Sequence, residues 1–339
     1  MKDIYEWIMN GKKTGPKILM LSPTDYCNLK CKTCWRLQKG MKFSQPSAKF
    51  LLKMISEAKN MGVETIDLTG GGEPFIRKDI LKIMKKVKDL GMKGIMTSNA
   101  TLIDSEIIKR IVEIGWDEIN FSLDGSTEKI NDYIRGKGVY GKCVKVIKEL
   151  QEVKKKYNSD KPLIRISFTI TSKNLHDIPN FIRFVNKLGV NDVYFSVLFE
   201  WDSNKELWVD RKRKKEVNKI FDDAIKLSEK LGIRTNLRVL RKYGLWEHKP
   251  PKFCFAPWYM LFVYADGKGA MCCTLASLHK NIVGDVKSLR KFWFGKKMES
   301  IRKKMLKGEF FSGCERCLPD FTEMFNRMYD EMRKWNSKK

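Results

Sequence analysis

The chain has 339 residues, 42% of them hydrophobic, which predicts a globular protein with room for two domains. No apolar stretch reaches the roughly 18 residues that a membrane-spanning helix needs, and the N-terminus is too polar for a signal peptide, so we expect a cytoplasmic protein. The net charge of +27 would suit nucleic acid, an anionic membrane or an acidic substrate. Because the lysines are spread over every predicted helix, we interpret the charge as a solvated surface and expect no nucleic-acid partner.

Strand-like and helix-like segments alternate from about residue 17 to residue 198. The predicted strands are residues 18–21, 65–68, 94–97, 118–123, 163–170 and 192–198. The predicted helices are residues 47–62, 77–90, 104–115, 139–157 and 177–188. This alternation predicts an α/β fold with right-handed crossovers and a parallel sheet. Since a closed barrel has eight such units, six predict a partial (β/α)6 TIM-like barrel.

The alternation stops after residue 198. An irregular linker follows over 199–210, and then a helix to about residue 231. We therefore predict two domains, with the partial barrel in 1–210 and a small α+β domain in 211–339. In the second domain, the segment around Asp266 and Gly267 predicts a β-hairpin.

The nine cysteines are grouped in a way that indicates metal sites, because disulfides are rare in a reducing compartment. Cys27, Cys31 and Cys34 lie in one loop after the first predicted strand, and thiolates at this spacing can converge on one metal centre. The spacing favours an iron–sulfur cluster. A three-cysteine zinc site or unrelated free thiols remain open as alternatives. The second group comprises Cys254, Cys272, Cys273, Cys314 and Cys317.

Two segments resemble the hallmarks of radical S-adenosylmethionine (SAM) enzymes. One is the C-x₃-C-x₂-C loop from Cys27 to Cys34, and the other is Gly71-Gly72-Glu73-Pro74 after the second strand. The resemblance implies that the three cysteines hold a [4Fe–4S] cluster whose open iron binds SAM. It also implies that an electron, supplied by a flavodoxin or ferredoxin, cleaves SAM, and that the resulting 5′-deoxyadenosyl radical abstracts a hydrogen atom from the substrate.

The resemblance also implies a set of residues that contact SAM. They are Gly71, Gly72, Glu73, Pro74, Ser98, Asn99, Ser122, Asp124 and Arg135. The glycines would let the backbone approach SAM closely, and Glu73 or the adjacent backbone would bind the methionine amino group. Arg135 is expected to pair with the SAM carboxylate. Alternatively, Arg135 is a surface residue beside a helix, and Asp124 is an N-cap or turn residue.

The second cysteine group resembles the C-terminal SPASM/Twitch extension of this superfamily. The resemblance implies an auxiliary [4Fe–4S] cluster held by Cys254, Cys272, Cys314 and Cys317, and the absence of cysteines after Cys317 favours one such cluster. A structural zinc site with four cysteines remains an alternative. Cys273 could replace Cys272 as a ligand, donate a hydrogen atom to a substrate radical, or be a small buried residue.

Three functions remain open from the sequence. The first is oxidation or epimerisation of a small polar substrate, such as a sugar or aminocyclitol, with Cys273 quenching the radical in the epimerising version. The second is radical modification of a ribosomally made peptide or a protein side chain. Only 26 residues precede Cys27, fewer than a peptide-recognition domain needs, which favours the small substrate. The third is a non-enzymatic iron–sulfur protein associated with RNA or a membrane, against which the intact Glu73 motif argues.

Overall fold

The computed structural model describes residues 1–246, 249–274 and 282–336. Its strands are β1 (Ile18–Leu21), β2 (Thr65–Leu68), β3 (Lys93–Ser98), β4 (Glu118–Ser122), β5 (Leu163–Ile170), β6 (Asp192–Val197), β7 (Arg234–Thr235), β8 (Met260–Val263), β9 (Lys268–Ala270) and β10 (Ile282–Asp285). These strands form one sheet in the order β10-β9-β8-β1-β2-β3-β4-β5-β6-β7.

The helices cover most of the segments between the strands. They are α1 (Lys2–Asn10), α2 (Ala48–Asn60), α3 (Ile80–Asp89), α4 (Ser105–Ile114), α5 (Glu128–Arg135), α6 (Val139–Lys156), α7 (Ile178–Lys187), α8 (Lys214–Lys230), α9 (Leu237–Tyr243), α10 (Ala256–Tyr259), α11 (Leu289–Trp293), α12 (Lys296–Leu306) and α13 (Pro319–Asn336). Within the described part of the chain, none of them is long and apolar enough to cross a membrane.

The predicted partial barrel is confirmed. Strands β1 to β6 lie at the predicted places, and each is parallel to the next in chain order. A seventh parallel strand, β7, was not predicted, because two residues give no periodic signal. The sheet ends at β7 on one side and at β10 on the other, so the barrel is open between these two strands.

The C-terminal strands extend the barrel sheet. The predicted hairpin is present as the antiparallel pair β8 and β9, and β8 lies parallel to β1. Strand β1 is therefore an inner strand with neighbours on both sides. The sheet runs through both parts of the chain, and the division at residue 210 stays a prediction.

Side chains alternate between the two faces of the barrel strands. The outward side chains are apolar and pack against the helices, as in the contact of Phe168 on β5 with Phe181 on α7, whose ring centroids are 4.6 Å apart. The opposite, inward face is largely polar. It carries Asp67, Thr97, Asn120, Ser122, Arg165, Ser167, Thr169, Tyr194 and Ser196, which lie in register on neighbouring strands. A TIM barrel usually fills this space with branched apolar residues. The polar lining therefore predicts a space for a ligand.

Candidate active site

The cysteine loop follows β1 and carries three half-buried thiols. Burial raises the pKa of the Cys31 thiol to about 11, Arg135 lowers it, and Cys34 and Cys27 raise it further. The backbone N–H of Leu29 donates to Cys27 Sγ at 3.4 Å. Such N–H donors stabilise a thiolate, and hydrogen bonds to the sulfurs tune the potential of an iron–sulfur cluster.

The glycine loop after β2 packs directly on the cysteine loop. The N–H of Gly72 donates to the carbonyl of Thr24 at 2.9 Å, and the N–H of Glu73 donates to the carbonyl of Tyr26 at 2.9 Å. A Cβ atom at Gly72 would clash with the Tyr26 carbonyl, and one at Gly71 would clash with the Asp25 carboxylate. The glycines are therefore required for contact between the two loops, a role that the sequence interpretation did not include.

The side chain of Glu73 joins the glycine loop to the end of β3. Its buried carboxylate accepts hydrogen bonds from the hydroxyl of Ser98 at 2.8 Å and from the N–H groups of Asn99 at 2.7 Å and Phe75 at 3.1 Å. Burial raises the pKa of Glu73 to about 7, while these donors lower it. Pro74 follows as the first residue of a 3₁₀ turn. Glu73 thus organises the predicted SAM-contacting residues Ser98 and Asn99.

Asn99 connects β3 to the cysteine loop. Its Nδ2 donates to Asn28 Oδ1 at 3.1 Å and to Cys27 Sγ at 3.7 Å. Its Oδ1 accepts from the N–H of Thr101 at 2.9 Å. Ala100, between them, has a φ of +67°, in the left-handed region that residues other than glycine rarely adopt. Such strain occurs at functional sites, which supports a role for this corner.

Asp124 and Arg135 form a buried ion pair beside the cysteine loop. The distance between Arg135 Nε and Asp124 Oδ2 is 2.7 Å, and only 10% of the Arg135 side chain is exposed. The N–H of Thr169 donates to Asp124 Oδ1 at 2.6 Å, and the Cys31 thiol donates to the Arg135 carbonyl at 3.7 Å. The alternative of a surface arginine is therefore wrong, because α5 turns the side chain into the barrel. Burial raises the pKa of Asp124, and Arg135 lowers it.

The inward face contains two residues that the motifs did not identify. Asp67 and Asn120 each have a buried Oδ1 without a hydrogen-bond partner among the described residues. Burial raises the pKa of Asp67 to about 7, and Glu118 adds to the shift. Ser122, which was predicted to contact SAM, lies in register with Ser167 on the same face. Strands of parallel sheets usually consist of apolar residues throughout. An aspartate within such a strand was therefore the sequence signal that could have identified Asp67.

Four of the C-terminal cysteines line one cavity next to the barrel. Cys254, Cys272, Cys314 and Cys317 meet there with mainly apolar neighbours, among them Met260, Met271, Phe310, Phe321 and Phe325. Cys273 does not line this cavity. Like Met20 on β1, it packs instead against a cluster formed by Phe262, Tyr264 and Ala270.

Charged groups inside the barrel affect the pKa of the Cys273 thiol. Burial raises the pKa of its thiol to about 12, and the charges of Cys317 and Asp67 add to the shift. Cys273 in turn contributes to the raised pKa of Tyr194 on β6. The thiol thus interacts electrostatically with Cys317 in the four-cysteine cavity and with Asp67 and Tyr194 on the polar face.

Both sets of cysteines provide thiols, which are the ligands that an iron–sulfur cluster uses. The loop after β1 offers three thiols, of which Cys27 accepts from N–H donors, and the C-terminal cavity offers four thiols in apolar surroundings. Within residues 1–246, 249–274 and 282–336, no three His, Cys, Asp or Glu side chains are close enough together to hold a single metal ion.

Comparison with known families identifies the class. Residues 21–185 match the model of the radical SAM superfamily, and residues 254–318 match that of SPASM, an iron–sulfur cluster-binding domain. The chain belongs to the radical SAM superfamily and carries a C-terminal SPASM domain. It is a radical SAM enzyme whose cofactors are [4Fe–4S] clusters and SAM.

Similar proteins act on diverse molecules. The chain is 31% identical over 180 residues to Fe-coproporphyrin III synthase of Methanosarcina barkeri, covering 52% of this chain and 43% of that protein. It is 26% identical over 267 residues to a probable GTP 3′,8-cyclase of Sulfurisphaera tokodaii, covering 75% and 80%. The structure of Streptococcus suis SuiB bound to the precursor peptide SuiA matches with a TM-score of 0.66 at 19% identity, covering 85% and 67%. SuiB has also been solved with SAM. The structural likeness defines the fold, and the chain spans less than half of the first relative.

Proposed function

We propose that this enzyme abstracts a hydrogen atom from a small polar substrate, of the sugar or aminocyclitol type, bound inside the partial barrel, and that the reaction is an oxidation or an epimerisation. The observation that carries the proposal is the polar inward face. Side chains on five neighbouring strands there, from Asp67 on β2 to Tyr194 on β6, can hydrogen-bond to a substrate.

We assign Cys27, Cys31 and Cys34 as ligands of the SAM-binding cluster. When bound, the cluster and SAM supply the reductive cleavage that generates the radical. The chain itself contributes N–H donors to the sulfur of Cys27, from Leu29 and Asn99. It also excludes water from the corner formed by the two loops, because the Gly72 backbone lies directly against Thr24.

The proposed SAM site lies beside this corner. Arg135 uses Nε to pair with Asp124, and its guanidinium has further N–H donors for the SAM carboxylate. The hydroxyl of Ser98 and the amide of Asn99 are engaged with Glu73 and with the cysteine loop. We therefore propose that Glu73, Ser98 and Asn99 act mainly by positioning the backbone that contacts SAM.

We assign Cys254, Cys272, Cys314 and Cys317 as ligands of the auxiliary cluster, since they line one cavity. Cys273, which lies outside that cavity, is the proposed hydrogen-atom donor in an epimerisation. In that step its S–H bond breaks and a C–H bond forms on the substrate radical. One electron from the flavodoxin- or ferredoxin-type reductant and one proton from solvent then restore the thiol.

The test uses polar substrates deuterated at each carbon. Transfer of deuterium into 5′-deoxyadenosine identifies the carbon that is attacked. With an epimerised substrate, Cys273→Ala should abolish product formation or release an oxidised product, whereas Cys143→Ala, a buried thiol on α6, should not. Transfer from a peptide instead of a small molecule would overturn the proposal.

A second candidate is the modification of a ribosomally made peptide or a protein side chain. It is favoured by the similarity of the fold to that of SuiB, which was solved with its precursor peptide. Mass spectrometry of peptides encoded beside this gene, after incubation with enzyme, SAM and reductant, tests this candidate. A mass change that requires SAM would support it.

The surface around the cysteine loop suits the proposed acidic electron donor. Tyr26 and Leu37 are exposed there by 47% and 40%, and exposed Lys30, Lys39 and Gly40 lie on the same loop. An exposed apolar centre with nearby cations fits a negatively charged partner. Cluster reduction by flavodoxin should therefore slow as the salt concentration rises, whereas reduction by dithionite at the same salt concentrations should change much less.

A further inference from the structure

The inward face of the barrel contains hydrogen-bond acceptors without partners. In the described ranges, Oδ1 of Asp67 and Oδ1 of Asn120 are both buried and accept no hydrogen bond. Buried polar atoms are nearly always paired, so each exception needs an explanation. Both atoms are acceptors, and both lie on the face that we propose for the substrate.

Asp67 and Asn120 lie close enough to serve one ligand. Asp67 on β2 is in register with Ile95 on β3, which is in register with Glu118 on β4. Asn120 follows Glu118 by two residues and therefore points to the same face, toward the carboxyl ends of the strands. Neighbouring strands are about 4.8 Å apart, so β2 and β4 lie roughly 10 Å apart, and a ligand between their inward side chains can contact both.

Two donors on this face are already used within the protein. The guanidinium of Arg165 pairs with Glu118 at 2.9 Å and with Asp192 at 3.1 Å. The hydroxyl of Tyr194 donates to Asp320 at 3.1 Å. Asp67 has neither a hydrogen bond nor an ion pair within the part of the chain that the structure describes. Among the described residues, the buried side-chain atoms that lack a hydrogen bond on this face are therefore acceptors.

We propose that Asp67 and Asn120 form a recognition site for a substrate that presents hydrogen-bond donors, with a protonated amine or a hydroxyl on Asp67 and a hydroxyl on Asn120. The site takes amino sugars and aminocyclitols in preference to neutral sugars, and it rejects sugars with a carboxylate. A carboxylate would bring a second negative charge to Asp67, and Arg165 on the same face already pairs with Glu118 and Asp192. This inference rests on the proposed function and deepens it by assigning the charge of the substrate.

The test compares three sugars that share one ring. Glucosamine is cationic, glucose is neutral and glucuronate is anionic. Each is titrated by calorimetry into the full-length enzyme, reconstituted anaerobically with its clusters and with SAM present. Glucosamine should bind most tightly and glucuronate most weakly.

Asp67→Asn keeps the shape of the side chain and removes its charge. This change should weaken glucosamine binding about tenfold or more, since hydrogen bonds to charged groups are the stronger ones, and it should remove the preference over glucose. Asp89→Asn, at an exposed carboxylate on α3, is the matched control and should bind like the unchanged enzyme. Iron content and circular dichroism verify that each variant is folded and loaded.

The outcomes separate this inference from the proposed function. Tighter binding of glucuronate, no binding of any of the three sugars, or unchanged glucosamine binding in Asp67→Asn would overturn the recognition site. Deuterium transfer from a polar substrate would still support the proposed function in those cases. Conversely, the expected binding order without any hydrogen abstraction from small polar molecules would support the site and overturn the proposed function.

Discussion

Arg135 Nε lies 2.7 Å from Oδ2 of Asp124, and this buried ion pair links the end of β4 to the end of α5 directly beside Cys31. Ten residues, which include most of α5, separate Asp124 from Arg135 in the chain. The fold, and not closeness in sequence, brings the two side chains together. The pair therefore stabilises the tertiary arrangement around the cysteine loop.

Arg135→Ala should be strongly destabilising. It leaves the Asp124 carboxylate buried without its cation, and breaking a buried pair costs about 3–5 kcal/mol of the free energy of unfolding. Anaerobic urea denaturation measures the loss. Arg110→Ala, which breaks an exposed pair with Glu113, is the control and should cost about 1 kcal/mol or less. Equal losses in the two variants would contradict a structural role for the buried pair.

Gly72→Ala should separate the two loops of the proposed SAM site. The added Cβ would clash with the Tyr26 carbonyl, and forced overpacking costs roughly 1–3 kcal/mol. We expect lower stability and fewer iron atoms per chain after reconstitution. In Gly141→Ala, on the exposed side of α6, the new Cβ meets nothing within 4 Å and should stabilise the helix by about 0.5–1 kcal/mol. If both variants load iron equally, the glycine loop does not support the cluster.

Cys272→Ala and Cys273→Ala should differ in iron content. Cys272 lines the four-thiol cavity and Cys273 does not, so only the first change removes a proposed ligand. We expect Cys272→Ala to lose most of the auxiliary cluster, which is about four iron atoms, and Cys273→Ala to retain it. Iron analysis and electron paramagnetic resonance measure this. Loss of iron in Cys273→Ala alone would reverse the assignment.

Asp67→Asn should change how stability depends on pH. Burial, with Glu118 nearby, raises the pKa of Asp67 to about 7, above the usual value near 4. The folded state therefore holds a proton that the unfolded state releases. The stability from this group is fully present below about pH 4 and is lost as the pH rises to about 7.

The variant lacks this titration. Between about pH 4 and pH 7, the free energy of unfolding of the unchanged protein should therefore fall relative to that of Asp67→Asn, by up to about 1.4 kcal/mol per pH unit. Urea denaturation at several pH values measures the difference, and Asp89→Asn is again the control. Parallel pH profiles for the unchanged protein and Asp67→Asn would show that Asp67 titrates normally.

The residue pattern by itself determined the barrel and the cysteine groups. Apolar periodicity is local, so the six strands, the helix that starts near Asp104 and the hairpin at Gly267 could be predicted directly from the sequence. The carboxyl ends of parallel strands meet at one edge, which is why loops after β1 and β2 could be expected to adjoin. The superfamily followed from motifs that those loops carry.

Only the tertiary structure decided which side chains meet. The pairing of β8 with β1, the separation of Cys273 from Cys272, and the burial of Arg135 depend on contacts between residues that are distant in the chain. Among the described residues Oδ1 of Asp67 accepts no hydrogen bond, and this too is invisible in the sequence, because it depends on which residues surround Asp67 in the fold. Sequence periodicity reports which face of an element is buried, and packing alone determines what that face contacts.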